Sequence, residues 1–264
     1  MKDTFDPRRF ALLLRKSLLE KPTQIFGFTG LILGLMLIAY FICKSQINFQ
    51  VAQNLTFIWG LAGGGCFLAS FVFSHFSTNA AGSFYLTFPA SIFEKWLAGI
   101  LIAGIFYPLI FLLFFRGIDS GFVFLYHKSL DPENPLYKIQ YDSVYLFSLT
   151  GRIAERVYFT SFLFIGAAML GSLYFNRAGF IKSAIAFCTI CLSLFVLNWL
   201  IADLIFGKVE DAFPYRDVDI LVGKNVGSIQ LPTKAFEIND YVFSYILPLL
   251  LWGLCFLRLK EKEF

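Results

Sequence analysis

The sequence predicts an all-α polytopic membrane protein: six transmembrane helices preceded by an N-terminal amphipathic elbow helix. Three observations predict it. Of the 264 residues, 58% are hydrophobic and only 15% are charged, with a mean hydropathy of +0.69, whereas soluble domains carry about 25% charge. Phenylalanine alone occurs 34 times, more than one aqueous core would bury. Six segments approach the roughly 20 apolar residues that cross a hydrocarbon layer: 25–43, 55–76, 96–115, 157–175, 181–206 and 241–257. All 264 residues are read as one transmembrane domain.

The elbow helix is placed at 7–21, in "DPRRFALLLRKSLLEKP". Asp6 can cap it, Pro7 suits the first helical position, and Pro22 closes it. Phe10, Leu13, Leu14 and Leu18 recur at helical spacing, opposite Arg8, Arg9, Arg15 and Lys16. A basic amphipathic helix of this kind lies in the cytoplasmic interface. Leu12 and Leu19 interrupt the polar face, and the plainer reading is a basic leader that sets topology. The first span follows a 24-residue charged leader without a small-residue cleavage site, so it reads as a retained anchor.

Small residues mark the expected helix contacts. Gly30 with Gly34 and Gly60 with Gly64 are G-x-x-x-G pairs, and Gly99 with Ala103 repeats the spacing. In lipid such positions let backbones approach closely. The run Gly63–Gly65 lies inside a span and lacks the Lys-Ser/Thr of a phosphate loop. Cys188 and Cys191 form a C-x-x-C in mid-span without His or carboxylate neighbours, so they read as small packing residues. Asp203 is the one carboxylate assigned to a span. It either reaches the headgroups or is a buried functional group. His75 and His127 have no metal-ligand company.

The loops set orientation. With the N-terminus inside, the inner loops hold 12 Lys and Arg and the outer loops 10 in a longer total length. Acidic residues lean the other way, 6 against 11. Both termini are therefore expected in the cytoplasm, the membrane being the bacterial inner membrane. Loops 116–156 and 207–240 face out. The first contains "DPENP" and the aromatic stretches "FVFLY" and "YKIQYDSVYLF", expected to graze the interface as short helices or strands. In the second, "VDILVGKNVGSIQLP" reads as two strands around a Gly-Lys-Asn turn.

The cytoplasmic loop 77–96 contains "LTFPASIFEKW". It reads as a short amphipathic helix begun by Pro89 and ended by Glu94 and Lys95 before Trp96 anchors the third span. Here the chain resembles the ABC-2 type permeases, membrane subunits of type V ABC exporters. The shared pattern L-x-x-P-[AV]-S-x-x-E-K falls on Leu86, Pro89, Ala90, Ser91, Glu94 and Lys95. The resemblance extends to the elbow helix, the six spans, two cytoplasmic termini and a long outer loop before the last span. It implies that Pro89, Ala90, Ser91, Glu94 and Lys95 form a coupling helix entering the cleft of a separate cytoplasmic ATPase. The elbow residues Phe10–Leu19 would pack beside that ATPase, which would hold ATP and Mg. It also implies pairing with a second permease copy, identical or not. The family often places two short re-entrant helices before its last span, where residues 208–240 read as hairpin-like and polar.

The expected function is thus the membrane subunit of an ATP-driven exporter of a hydrophobic or amphiphilic substrate. No cofactor, metal or catalytic site is expected in this chain. Its expected neighbours are the ATPase, the second permease and membrane lipid, with no nucleic acid. The alternative is a secondary carrier or channel that works without an ATPase. Against it stand the scarcity of intramembrane charge and the lack of broken, inverted helix pairs.

Overall fold

In the computed structural model, residues 5–20, 22–77, 79–175, 179–207, 209–214, 217–222, 225–230 and 232–262 are described. Helix α1 (Pro7–Glu20) starts at Asp6, whose carboxylate accepts from the Arg8 N–H at 2.9 Å. Helices α2 (Ile25–Gln46) and α3 (Phe49–Val72) meet at a tight turn. There the Asn48 side chain caps α3 by accepting from the Gln50 N–H. A 3₁₀ turn (Ser74–Ser77) leads into α4 (Asn79–Thr87), which at nine residues is too short to cross a bilayer. Helix α5 (Ile92–Ser129) has 38 residues, about 57 Å of helix against a hydrocarbon layer of about 30 Å.

The short α6 (Tyr137–Ser143) and an extended stretch, 144–148, connect α5 to α7 (Arg152–Tyr174). Helix α8 (Gly179–Phe206) follows. Then comes an antiparallel sheet of β1 (Val209–Phe213), β2 (Asp217–Val222) and β3 (Asn225–Gln230), in that order. Helix α9 (Thr233–Glu261) ends the described chain. Six of these helices (α2, α3, α5, α7, α8 and α9) are long and apolar enough to cross a membrane. The protein is a polytopic, predominantly helical membrane protein. Six crossings bring both chain ends to one end of the bundle, called here the terminal end; the other is the distal end.

Several expected boundaries move. Residues 116–129, expected in a loop, continue α5 as helix, so "FVFLY" is neither strand nor separate helix. The cause is visible in the pattern: Phe111, Phe115, Phe122 and Tyr126 extend one helical stripe, and Phe111, Phe115 and Val123 are buried along it. The expected hairpin forms as β2 and β3, with Val218 opposite Ile229 and Ile220 opposite Gly227. Its turn residues 223 and 224 lie outside the described residues, as does Lys21 at the end of the expected elbow helix. Strand β1 was not expected. It pairs with β2 through Ala212 opposite Val218 and Phe213 opposite Asp217.

Close packing centres on glycines, though not all of those expected. Gly60 and Gly64 lie under other helices: a Cβ on Gly60 would strike the Phe111 ring, and one on Gly64 the Tyr107 hydroxyl and Ile32. Gly30 and Gly34 instead face open space, because α2 presents its other side, with Ile32 and Leu33, to the core. Gly99 sits against Phe73, Val72 and Met169, and Ala103 is fully buried. Among the glycines that sequence spacing missed are Gly104 and Gly166. They lie on different helices, and the Trp252 indole of α9 fits against both. Its Nε1–H donates to the Phe162 carbonyl at 3.1 Å, while Trp96 donates to the Trp252 carbonyl at 2.9 Å.

Helices α3, α5 and α9 each contain a π turn, at Trp59–Gly63, Leu101–Phe106 and Val242–Ile246. Such turns loosen the regular hydrogen-bond ladder. Tyr107, just after the π turn of α5, donates its hydroxyl at 2.5 Å to the carbonyl of Gly60 in that of α3. Gly64 leaves the room for that hydroxyl. In lipid, where water cannot complete an irregular backbone, a side-chain donor of this kind does.

Candidate functional site

The stretch singled out by the sequence, 86–96, lies at the terminal end, but its local structure differs from the expectation. There is no separate helix over 89–95. Helix α4 stops at Thr87, residues 88–90 bend, and α5 begins at Ile92. Two local effects explain this. A residue before proline avoids helical backbone, so Phe88 breaks the run ahead of Pro89. Ser91 and Glu94 then form a capping box, a signal already present in the sequence as S-x-x-E. The Ser91 hydroxyl accepts from the Glu94 N–H at 3.2 Å, and the Glu94 carboxylate accepts from the Ser91 N–H at 2.9 Å. Glu94 and Lys95 therefore begin a spanning helix rather than end a coupling helix.

Their burial carries a second correction. Glu94 is 0% exposed and Lys95 1%, so neither is offered to a partner protein. The Glu94 carboxylate is filled from within the chain. Its Oε1 accepts from Arg9 Nη2 at 2.7 Å and the Asp6 N–H at 2.9 Å; its Oε2 accepts from Arg9 Nε at 2.8 Å and the Ser91 N–H at 2.9 Å. The bidentate fork is the geometry that suits guanidinium to carboxylate. The hydrogen bond and charge of Glu94 raise the Arg9 pKa above its ordinary value. Lys95 lies with its ammonium 5.8 Å from the Tyr85 ring of α4, and that ring stacks on His75 at 5.0 Å.

This arrangement fastens α1 to the start of α5. Leu13 is buried against Ala90 and Ala98, with Phe10, Leu14 and Phe88 around them, and Leu18 packs on the larger core. The apolar face of α1 thus rests on protein. Leu12 and Leu19, which interrupt its polar face, are 63% and 59% exposed and point away from the chain. Lys16 lies over the rings of Phe88 and Phe84, at 3.9 and 4.8 Å. Pro89 remains exposed, as does Phe84 at 62%. Together α1, α4 and the 88–91 bend make a folded ledge across the terminal end of the bundle.

A second polar centre, absent from the sequence reading, lies at the distal end of the same helix. Asp119 is fully buried. Its Oδ1 accepts from the Tyr40 hydroxyl at 2.7 Å and Gln53 Nε2 at 2.8 Å, and its Oδ2 accepts from the Phe147 N–H at 2.8 Å. Gln53 also donates to the Tyr145 carbonyl at 3.0 Å, and Arg116 to that of Phe147 at 3.0 Å. Both backbone groups of Phe147 are thus held by side chains of α5. Its ring inserts between Phe57 and Phe115, at centroid distances of 4.5 and 5.5 Å. The segment 144–149 plugs this end of the bundle. Ending the third span at Phe115 hid Asp119 in a supposed loop; the stripe from Phe111 to Tyr126 was the signal that could have found it.

The other candidates resolve simply. Asp203 is half-buried near the distal end of α8. His127 stacks on Tyr141 at 3.9 Å and bonds the Val144 carbonyl at 2.9 Å, helping to hold the plug. All five cysteines are free thiols. Of the C-x-x-C pair expected to pack, Cys191 is half-buried and Cys188 exposed, while Cys255 is buried. Among the described residues no three His, Cys, Asp or Glu side chains are grouped to hold a metal ion. Compared with protein families, curated proteins and solved structures, the chain has no match.

Two expectations follow for variants. Reversing the Arg9–Glu94 pair (Arg9→Glu with Glu94→Arg) restores the charges but leaves the Asp6 and Ser91 N–H groups facing a cation. The double variant is therefore expected to melt as low as Glu94→Ala, which loses about 1–2 kcal/mol from the helix cap alone. A double variant as stable as wild type would show that charge, not the carboxylate's place at the helix start, holds the ledge. At the distal end, Asp119→Ala strands three buried donors, each at about 1–3 kcal/mol. Hydrogen exchange at 144–149 should then rise sharply while α7 stays protected; unchanged exchange would remove Asp119 as the plug's anchor.

Proposed function

We propose that the chain is the membrane subunit of an ATP-driven exporter and couples to a separate cytoplasmic ATPase through the ledge at its terminal end. The observation that carries this reading is the ledge itself. A loop that merely linked two spans would need no helix, no capping box and no buried carboxylate with four donors. Here α1, α4 and the start of α5 are fastened into one body, so a force applied at the ledge reaches the spanning helix α5 directly. The resemblance of Leu86, Pro89, Ala90, Ser91, Glu94 and Lys95 to the permease pattern supports the same reading. The roles within the pattern are redistributed. Ala90, Ser91, Glu94 and Lys95 build the ledge from inside, and Pro89 with Phe84 form its exposed surface.

The substrate expected of such a subunit is hydrophobic or amphiphilic, since the apolar runs within the crossing helices are aromatic and carry few charges. One chain of six helices packed this closely leaves no wide path of its own, so two permease copies with two ATPases form the working assembly. The open faces of Gly30 and Gly34 on α2 are surfaces where a second copy can approach closely. The excess of Lys and Arg in the loops of the terminal end orients that end, and both termini, toward the cytoplasm.

The partner is tested on the ledge surface. Phe84→Glu removes an exposed ring yet offers Lys16 a carboxylate, so the fold is expected to persist. Affinity purification in mild detergent should recover an ATPase with wild type and with the distal control Lys128→Glu, and lose it with Phe84→Glu or Pro89→Leu. Recovery of no ATPase by wild type would favour the carrier alternative. Equal recovery by all four proteins would detach the ledge from coupling.

Orientation has its own test. Ser45, Ser129 and Ser228 are exposed toward the distal end, and Ser83 is exposed on the ledge. In a background stripped of native cysteines, single cysteines at the first three should react with an impermeant thiol reagent in whole cells, and one at Ser83 should not. Labelling at Ser83 would reverse the topology.

A further inference from the structure

The distal half of the bundle contains a cleft of about 460 Å³ between α7, α8, α9 and the sheet. That size falls in the range of about 300–1,000 Å³ typical of small-ligand sites. Its wall is apolar, with Leu163 from α7, Leu194 and Phe195 from α8, Phe213 from β1 and Phe243 from α9. Phe213 packs edge-on to Phe195 at 5.2 Å, and Asn198 Nδ2 donates to the Ala212 carbonyl at 3.2 Å, so β1 closes the cleft against α8. Two charged side chains of opposite sign also line it, Arg156 and Asp240. Among the described residues neither is ion-paired, to the other or to anything else.

Helix α7 has 23 residues and α9 has 29, or about 34 and 43 Å, so centring each on about 30 Å of hydrocarbon leaves overhangs of about 2 and 7 Å per end. Arg156 is four residues from the distal end of α7 and Asp240 seven from that of α9. Both then come to about 4 Å inside the hydrocarbon boundary. That is within reach of headgroups for a flexible side chain. Among the described residues, a cation and an anion without ion-pair partners thus stand together at the distal end of one apolar cleft.

We propose that this cleft holds one phospholipid of the surrounding bilayer with a zwitterionic headgroup. An acyl chain lies along Leu163, Leu194 and Phe243, the phosphate pairs with Arg156 and the amine with Asp240. Charge complementarity selects this occupant. An anionic lipid satisfies Arg156 and is repelled by Asp240, while an uncharged amphiphile leaves both unmet near the hydrocarbon. The inference stands on the cleft alone and survives if no ATPase binds the chain.

The test is native mass spectrometry of the full chain in detergent, titrated with phosphatidylethanolamine or phosphatidylglycerol of identical acyl chains. Wild type is expected to prefer phosphatidylethanolamine by about tenfold, as one added charge-assisted contact implies. Arg156→Gln should weaken both lipids, whereas Asp240→Asn should weaken phosphatidylethanolamine alone and so erase the preference. Both side chains are exposed, so melting temperatures should stay at the wild-type value. Should either variant fold poorly, the wild-type preference decides the matter. Equal affinity of wild type for the two lipids, or an undiminished preference in a folded Asp240→Asn variant, would overturn the proposal.

Discussion

Apolar side chains gain nothing by leaving lipid for one another, so hydrophobic burial cannot by itself decide how six greasy helices pack. In this protein the decision passes to close fit and to a few polar groups that the solvent cannot satisfy. Glu94 and Asp119 are the clearest cases, with four and three donors respectively and no exposure. Remove the Asp119 carboxylate and its buried donors have no water to turn to. Each carboxylate therefore draws together elements far apart in sequence. Glu94 joins the N-terminal helix to α5, and Asp119 joins α2, α3 and the 144–149 segment to the same helix.

That both centres lie on α5 gives the molecule a mechanical axis. They are 25 residues apart, or about 37 Å of helix. Between them sits the π turn at Leu101–Phe106, bridged to the π turn of α3 by Tyr107 and Gly60. A continuous helix anchored at both ends, with one irregular segment braced by a single hydroxyl, can carry a displacement from the ledge to the distal plug. It can also flex where the ladder is already loosened. The proposed coupling to an ATPase uses the first property, and a change of access at the distal end would use the second.

Helix α8 plays a different part. It is 28 residues long, yet only Ser183 and Ala202 are buried among its described residues. It meets α7 where Gly171 leaves room for Ser183, and it meets β1 through Asn198. Between those two points its distance from α9 creates the cleft with Arg156 and Asp240. A loosely held helix beside a packed core of α3, α5, α7 and α9 leaves the cleft between them.

The sequence by itself determined the class of the molecule and most of its skeleton. Length of apolar run, a property of consecutive residues, locates six crossing helices wherever the segment boundaries fall. The S-x-x-E box, the turn before Pro89 and the β2–β3 hairpin are equally local and were equally present in the chain. What local pattern could not supply was the partner of each residue. Glu94 and Lys95 read as an exposed pair because their neighbours in sequence are small or apolar; that Arg9 and Asp6 close over Glu94 from 85 and 88 residues away is a fact of packing. Gly30 and Gly34 match the spacing of a contact motif as well as Gly60 and Gly64 do, but only the rotation of α2 about its axis decides which pair meets another helix. Asp119 belongs to the same class: its meaning came from Tyr40, Gln53 and Phe147 arriving from three other segments. Periodicity fixes the face a residue occupies, and only the tertiary structure decides what that face meets.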